Sequence, residues 1–119
     1  MADVVALVDD IFFQAKMFET AKQLGVDLRT CTTPDALAAE IAKQAPNLAI
    51  VDLNAHSDPL QAIARVRAES AEIPLIAYLS HVQVDLVQHA RDAGCHEVMP
   101  RSQFTKNLAT ILAKAKSQS

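Results

Sequence analysis

Five short apolar runs, each followed by a stretch of helical period, recur along the whole chain, and this alternation limits its fold more than any other feature. ADVVALV (2–8) ends at Asp9-Asp10, and from Ile11 onward Phe13, Met17, Ala21 and Leu24 recur at helical spacing until Gly25, a C-terminal cap. VDLRTC (26–31) is the second run. In the stretch after it, Thr33 is set to cap a helix, Pro34 to open it, and Leu37 and Ile41 to share its inner face. Pro46-Asn47 breaks that helix before LAIVDL (48–53), and Ser57-Asp58-Pro59 starts a third carrying Leu60, Ile63 and Val66 inward. IPLIAYLS (73–80) is the fourth run, with a helix behind it that lasts until Gly94. HEVM (96–99) is the fifth, and Phe104, Leu108, Ile111 and Leu112 line one side of a single final helix.

Parallel neighbours need crossover connections, so such alternation predicts an α/β fold, a doubly wound parallel sheet with helices on both faces. Runs one, three and four are nearly continuous in Val, Ile, Leu and Ala, as expected of strands covered on both sides; VDLRTC is more mixed and suits an edge. At 119 residues the chain, 1–119, is read as a single domain. No segment approaches the roughly 20 apolar residues of a membrane helix, and the acidic start MADVVALVDD lacks the basic region of a signal peptide, so a soluble, cytoplasmic protein is expected. A net charge of -3 with scattered Arg and Lys argues against direct nucleic-acid binding. Cys31 ends one run and Cys95 precedes another, which places them at opposite ends of a parallel sheet, so no disulfide is expected.

In open sheets of this kind ligands gather beyond the carboxyl ends of the strands. Those ends carry Asp9-Asp10, Asp52 with Asn54, Ser80-His81, and Met99-Pro100-Arg101. If strands one and three are neighbours, three carboxylates converge there. Their mutual repulsion is relieved by a cation, and hard oxygen ligands suit Mg²⁺. Either Asp9 or Asp10 alone could serve as a helix cap, which would leave Asp52 without a role. His56 and His81 flank the cleft, either solvated or as a pH-sensitive pair or extra ligands, and His89 belongs to a helix surface. Phe12, Phe13 and Phe18 cannot all face one side of a helix, so one is available to a partner.

LVDD at 7–10, VDLN at 51–54, Ser80 ending the fourth run and the proline after the fifth resemble the receiver domains of two-component response regulators, the chemotaxis-regulator type, over essentially the whole chain. The resemblance implies a flavodoxin-like (βα)5 sheet in the order 2-1-3-4-5. It also implies phosphoryl acceptance on Asp52 from a sensor histidine kinase or phosphotransfer protein, and Mg²⁺ bound by Asp9, Asp10, Asp52 and the Asn54 backbone carbonyl. Ser80 is then the switch hydroxyl. Such a domain is a signalling module rather than an enzyme. It acts on a downstream protein target and is compatible with a homodimer through the last helices; because the final helix exhausts the sequence, a stand-alone receiver is expected. The chain departs from the family at Met99, where a lysine normally precedes the proline, with Arg101 as a substitute cation. It also departs at the loop NAHSDP, which lacks the usual proline and later Asp-Gly, and at His96, where an aromatic partner for Ser80 often stands. These departures keep two alternatives open: a degenerate receiver working by phosphorylation-independent contacts, and a small Mg²⁺-dependent phosphohydrolase, disfavoured because nothing in so short a chain encloses a substrate.

Overall fold

A computed structural model describes residues 2–80 and 83–116, so His81 lies outside the described residues. Five strands, β1 (Val4–Leu7), β2 (Leu28–Cys31), β3 (Leu48–Asp52), β4 (Leu75–Leu79) and β5 (Glu97–Pro100), form one all-parallel sheet in the order β2-β1-β3-β4-β5. Helices α1 (Ile11–Leu24), α2 (Pro34–Lys43), α3 (Pro59–Glu69) and α4 (Val84–Ala93) connect them. The single final helix expected from the sequence is two, α5 (Arg101–Lys106) and α6 (Leu108–Lys114), interrupted at Asn107. The strands are shorter than the apolar runs, because apolar character persists where ladder pairing has already stopped.

Alternate residues of each strand feed two cores. Val5, Leu7, Ala49, Val51, Leu75, Ala77 and Leu79 pack under Leu37 and Ile41 of α2, Ile63 and Val66 of α3, and Ala90 of α4. Val4, Ala6, Val8, Ile50, Tyr78 and Met99 face Phe13, Met17 and Ala21 of α1, with Phe104 of α5 and Leu108 and Leu112 of α6. Each Val, Leu, Ile, Phe or Met among them removed from water is worth ~1.5–3 kcal/mol, which fixes both the register and the faces. Helix starts follow the sequence signals: Thr33 Oγ1 accepts from the Ala36 N–H at 3.1 Å, and Asp58 Oδ1 accepts from the Gln61 N–H at 3.2 Å, each ahead of a proline. Both cysteines are free, as expected, Cys31 buried at the end of β2 and Cys95 before β5.

At the amino end of the sheet Arg67 of α3 acts as a fastener. Its guanidinium donates to the carbonyls of Gly94 (2.8 Å), Ser70 (3.2 Å) and Ile73 (2.8 Å) and lies 3.2 Å from His96 Nδ1. His96 Nδ1 also accepts from the Leu75 N–H at 3.1 Å. His96 is therefore not beside Ser80: it pairs with the start of β4, whereas Ser80 follows its end. Gly94 closes α4 with φ +124, and a Cβ there would lie 2.6 Å from Arg67 Cγ. Gly94→Ala is expected to destabilise the fold by about 2 kcal/mol through strain and collision together, against about 1 kcal/mol for Gly25→Ala. At Gly25 φ is 71 and the nearest obstacle is the movable Lys116 Nζ at 3.2 Å. Urea midpoints of the two variants test this; equal losses would mean that Arg67 gives way freely.

Candidate functional site

Neighbouring β1 and β3 end side by side, so the sheet order brings Asp9 and Asp10 over Asp52 at its carboxyl edge. Asp52 is the last residue of β3 and only 6% exposed. Its Oδ1 accepts from the Asn54 N–H at 2.9 Å. Burial pushes the Asp52 carboxyl above the usual carboxylate range; the Asn54 N–H opposes this, the charge of Asp9 adds to it, Arg101 lowers it and Asp10 raises it again. Asp52 is thus a buried carboxyl near two further acids, offset only in part by the Asn54 N–H and Arg101.

Both of those acids already have partners. Asp10 is the N-cap of α1, Oδ1 accepting from the N–H groups of Phe12 (3.0 Å) and Phe13 (3.2 Å), while Oδ2 accepts from Arg101 Nη2 at 3.1 Å. The Phe13 N–H, then Arg101 and the Phe12 N–H, hold its carboxyl below the ordinary value against a smaller effect of burial. Asp9 Oδ2 accepts from the His56 backbone N–H at 2.8 Å and lies 3.0 Å from His56 Nδ1. Burial pushes Asp9 upward, but the combined hydrogen bonds and charge of His56 outweigh it, so the net shift is down.

Arg101 reaches the cluster despite Pro100, because α5 begins at Arg101 itself and its side chain lies over the Phe13 ring beside Asp10. The guanidinium carbon stands 4.4 Å from the centroid of the Phe13 ring, a cation–π contact. Beneath it Phe13, Tyr78 and Phe104 form an aromatic stack, Tyr78 and Phe104 parallel at 4.5 Å and Phe13 tilted 5.3 Å from Tyr78. The Tyr78 hydroxyl is buried and has no hydrogen-bond partner among the described residues. Desolvation raises its pKa, and the charge of Asp52 raises it further.

Asn54 does more than its expected backbone role. Its Oδ1 accepts from the Ser80 N–H at 2.5 Å, tying the end of β4 to the loop that carries Asp52. Ser80 itself is exposed at the rim. Met99, in the lysine position, is 5% exposed and lies in the apolar cluster beside Tyr78. Phe13 is core, while Phe12 (83%) and Phe18 (42%) are both exposed, two aromatics rather than one. The contacts sequence reasoning missed, His56 to Asp9, Arg101 to Asp10 and Phe13, and Asn54 to Ser80, all join segments far apart in the chain and leave no local signal; only Arg101 stood out, as a cation near a missing one. Among the described residues no three His, Cys, Asp or Glu side chains are grouped closely enough to hold a metal ion, and no helix is long and apolar enough to cross a membrane.

No protein-family model and no curated protein matches this sequence. Solved structures do match in fold. The receiver domain of NtrX from Brucella abortus is 18% identical with a TM-score of 0.80, over 98% of this chain and 99% of that one. The receiver domain of the response regulator NarL from Mycobacterium tuberculosis is 18% identical with a TM-score of 0.77, over 97% and 96%. A longer NtrX structure from Brucella abortus (18% identity, TM-score 0.78, 96% of this chain) is spanned over only 27% of its length. The sheet order and crossovers are thus those of a receiver domain.

Proposed function

We propose that this chain is a response-regulator receiver that accepts a phosphoryl group on Asp52 and passes the signal on through protein contacts. One observation carries the reading: at the carboxyl edge of a receiver-type sheet, a 6%-exposed carboxylate is pressed toward two further acids and a guanidinium. In the transfer, a carboxylate oxygen of Asp52 forms a bond to phosphorus as the donor's bond to phosphorus breaks, its electron pair leaving with the donor. Arg101 and the Asn54 N–H favour the ionised, attacking form of Asp52, opposing burial.

Asp9, Asp10 and Asp52 have the oxygen chemistry of a hard divalent-cation site, but as placed they are not grouped closely enough to hold one: Asp10 is engaged by Arg101 and the start of α1, and Asp9 by His56. Mg²⁺ on Asp9, Asp10, Asp52 and the Asn54 carbonyl would require the two acids to leave those partners; bound there it would supply charge neutralisation for an incoming phosphoryl group. The hydrogen bond from Ser80 N–H to Asn54 couples the acceptor's loop to the end of β4, so a change at Asp52 has a short route to the surface around Ser80. A histidine kinase or phosphotransfer protein is the proposed donor and another protein the proposed target. Phe12 and Phe18 on α1 offer apolar contact area to such partners. A homodimer through the last helices, and a cytoplasmic location, belong to the same reading.

The test is intact mass after incubation with a small acyl phosphate and Mg²⁺. One added phosphoryl group is expected on the native chain and none on Asp52→Asn, which keeps an acceptor for the Asn54 N–H. No uptake by the native chain would turn the reading to a phosphorylation-independent interaction module, which the buried Met99 in place of a lysine favours.

A further inference from the structure

Asp52, Tyr78 and Met99 stand in register across β3, β4 and β5, and Tyr78 and Met99 are buried on the sheet face that α1 and α5 cover. Once Asp52 is ionised, Tyr78 alone of the three carries a hydrogen-bond donor. Its ring is 0% exposed and packs against Phe104, with centroids 4.5 Å apart and 12° between planes, and against Phe13 at 5.3 Å. Its hydroxyl is buried and has no hydrogen-bond partner among the described residues. Burying a hydroxyl unpaired is unfavourable, and Phe would fill the same space without that penalty. We propose that the Tyr78 hydroxyl is a donor kept for an oxygen of the phosphoryl group on Asp52, which makes it a further catalytic residue of that pocket. This rests on the acceptor reading above and names a group that holds the transferred anion.

Reach and direction support this. Adjacent strands lie ~4.8 Å apart and their side chains stand roughly perpendicular to the sheet, so the in-register Asp52 and Tyr78 rise side by side from one face. A phenol outreaches a carboxylate by the width of its ring. Its hydroxyl therefore stands farther from the sheet than the Asp52 oxygens, at the level of a phosphorus bonded to one of them. Desolvation, and then the charge of Asp52, push the phenol's pKa upward; the other charges acting on it, Arg101, Asp10 and Asp9, belong to the same pocket. The phenol thus keeps its proton and donates as a neutral group. In the resting fold Asp52 Oδ1 is turned instead to the Asn54 N–H at 2.9 Å. A phosphoryl group carries charged oxygens outward from that carboxylate, and an O–H donated to a charged oxygen is about twice as strong as one donated to a neutral acceptor. The proton stays on Tyr78 and no bond to the phenol forms or breaks; the hydroxyl offsets negative charge where burial disfavours it. Packing against Phe104 and Phe13 keeps the ring from turning away, and Phe13 also carries Arg101 on its face at 4.4 Å.

Tyr78→Phe removes the hydroxyl and keeps the ring, and its effects on stability and on uptake are expected to separate. Its urea midpoint should be no lower than that of the native chain, because an unpaired buried hydroxyl is lost. Its uptake of a phosphoryl group from a small acyl phosphate, followed by intact mass, should be about tenfold slower. Both chains are compared at one Mg²⁺ concentration, so the ratio does not depend on how the cation is bound. In proton NMR of the native chain, the sheltered Tyr78 hydroxyl proton should move downfield as the phosphoryl group is taken up. Equal uptake rates, or a hydroxyl proton that does not move, overturn the donor role and leave Asp52 standing as the acceptor. A lower midpoint for Tyr78→Phe does the same, since it shows that the hydroxyl is already paired in the resting fold. A native chain that takes up no phosphoryl group overturns both.

Discussion

Met99→Lys is expected to lower the unfolding free energy by about 3 kcal/mol and to leave phosphoryl uptake on Asp52 no faster. The substitution looks like a repair when only the sequence is considered, since it restores the residue that normally precedes the proline. The sheet says otherwise. Asp52, Tyr78 and Met99 pair in register across β3, β4 and β5, and alternation puts their side chains on the same face. Met99 is thus two strand spacings from Asp52, about 9.5 Å, with the Tyr78 ring between them. An ammonium placed there starts inside the cluster of Tyr78, Phe104 and Leu108 rather than at the pocket. Burying it unpaired is unfavourable, and its flexible stem must pass a side chain that is 0% exposed and stacked on Phe104. Urea unfolding followed by circular dichroism, with intact-mass uptake in parallel, measures both halves. A variant as stable as the native chain with faster uptake would show that a lysine threads past Tyr78.

A loss of similar size is expected for Arg67→Ala, far from the acids. Arg67 satisfies three carbonyls that end three different segments: Ser70 caps α3, Ile73 precedes β4 and Gly94 closes α4. Charge-assisted hydrogen bonds of this kind contribute ~1.5–3 kcal/mol each but not additively, so about 3 kcal/mol is expected for the set. Part of that loss comes through His96, whose ring faces both Arg67 and the Leu75 N–H. In the Arg67→Ala background, Gly94→Ala should cost only its backbone strain, because the atoms its Cβ meets are gone. Additive losses in the double variant would show that the two residues do not touch in solution, and an Arg67→Ala chain of native stability would remove the fastener altogether.

How far the chain could be read in advance depended on range. Strand and helix periods, the Thr33 and Asp58 caps and the glycine stops are written within a few residues of one another, and they placed all five strands and the first four helices. The split between α5 and α6 was hidden because Asn107 is neither Gly nor Pro and the apolar spacing of Phe104, Leu108 and Leu112 runs through it unbroken. Of the site, the aspartates were legible because a carboxylate at the end of an apolar run is conspicuous and two such ends, Asp9-Asp10 and Asp52, carry all three. Their partners were not. His56 meets Asp9 across 47 residues and Arg101 meets Asp10 across 91, so only the folded loops decide those pairs. The same holds for His96, whose place at the amino end of β5 followed from register, not from spacing to Met99.

Tyr78 is the sole tyrosine of a chain without tryptophan. Its ring is buried in the aromatic stack, its hydroxyl has no hydrogen-bond partner among the described residues, and it stands beside Asp52 in register. The protein thus carries one phenol emitter and no indole, sited beside Asp52 and shielded from solvent. Whatever enters or leaves the acidic pocket alters the field around that phenol, so its emission can follow the state of the molecule without any label.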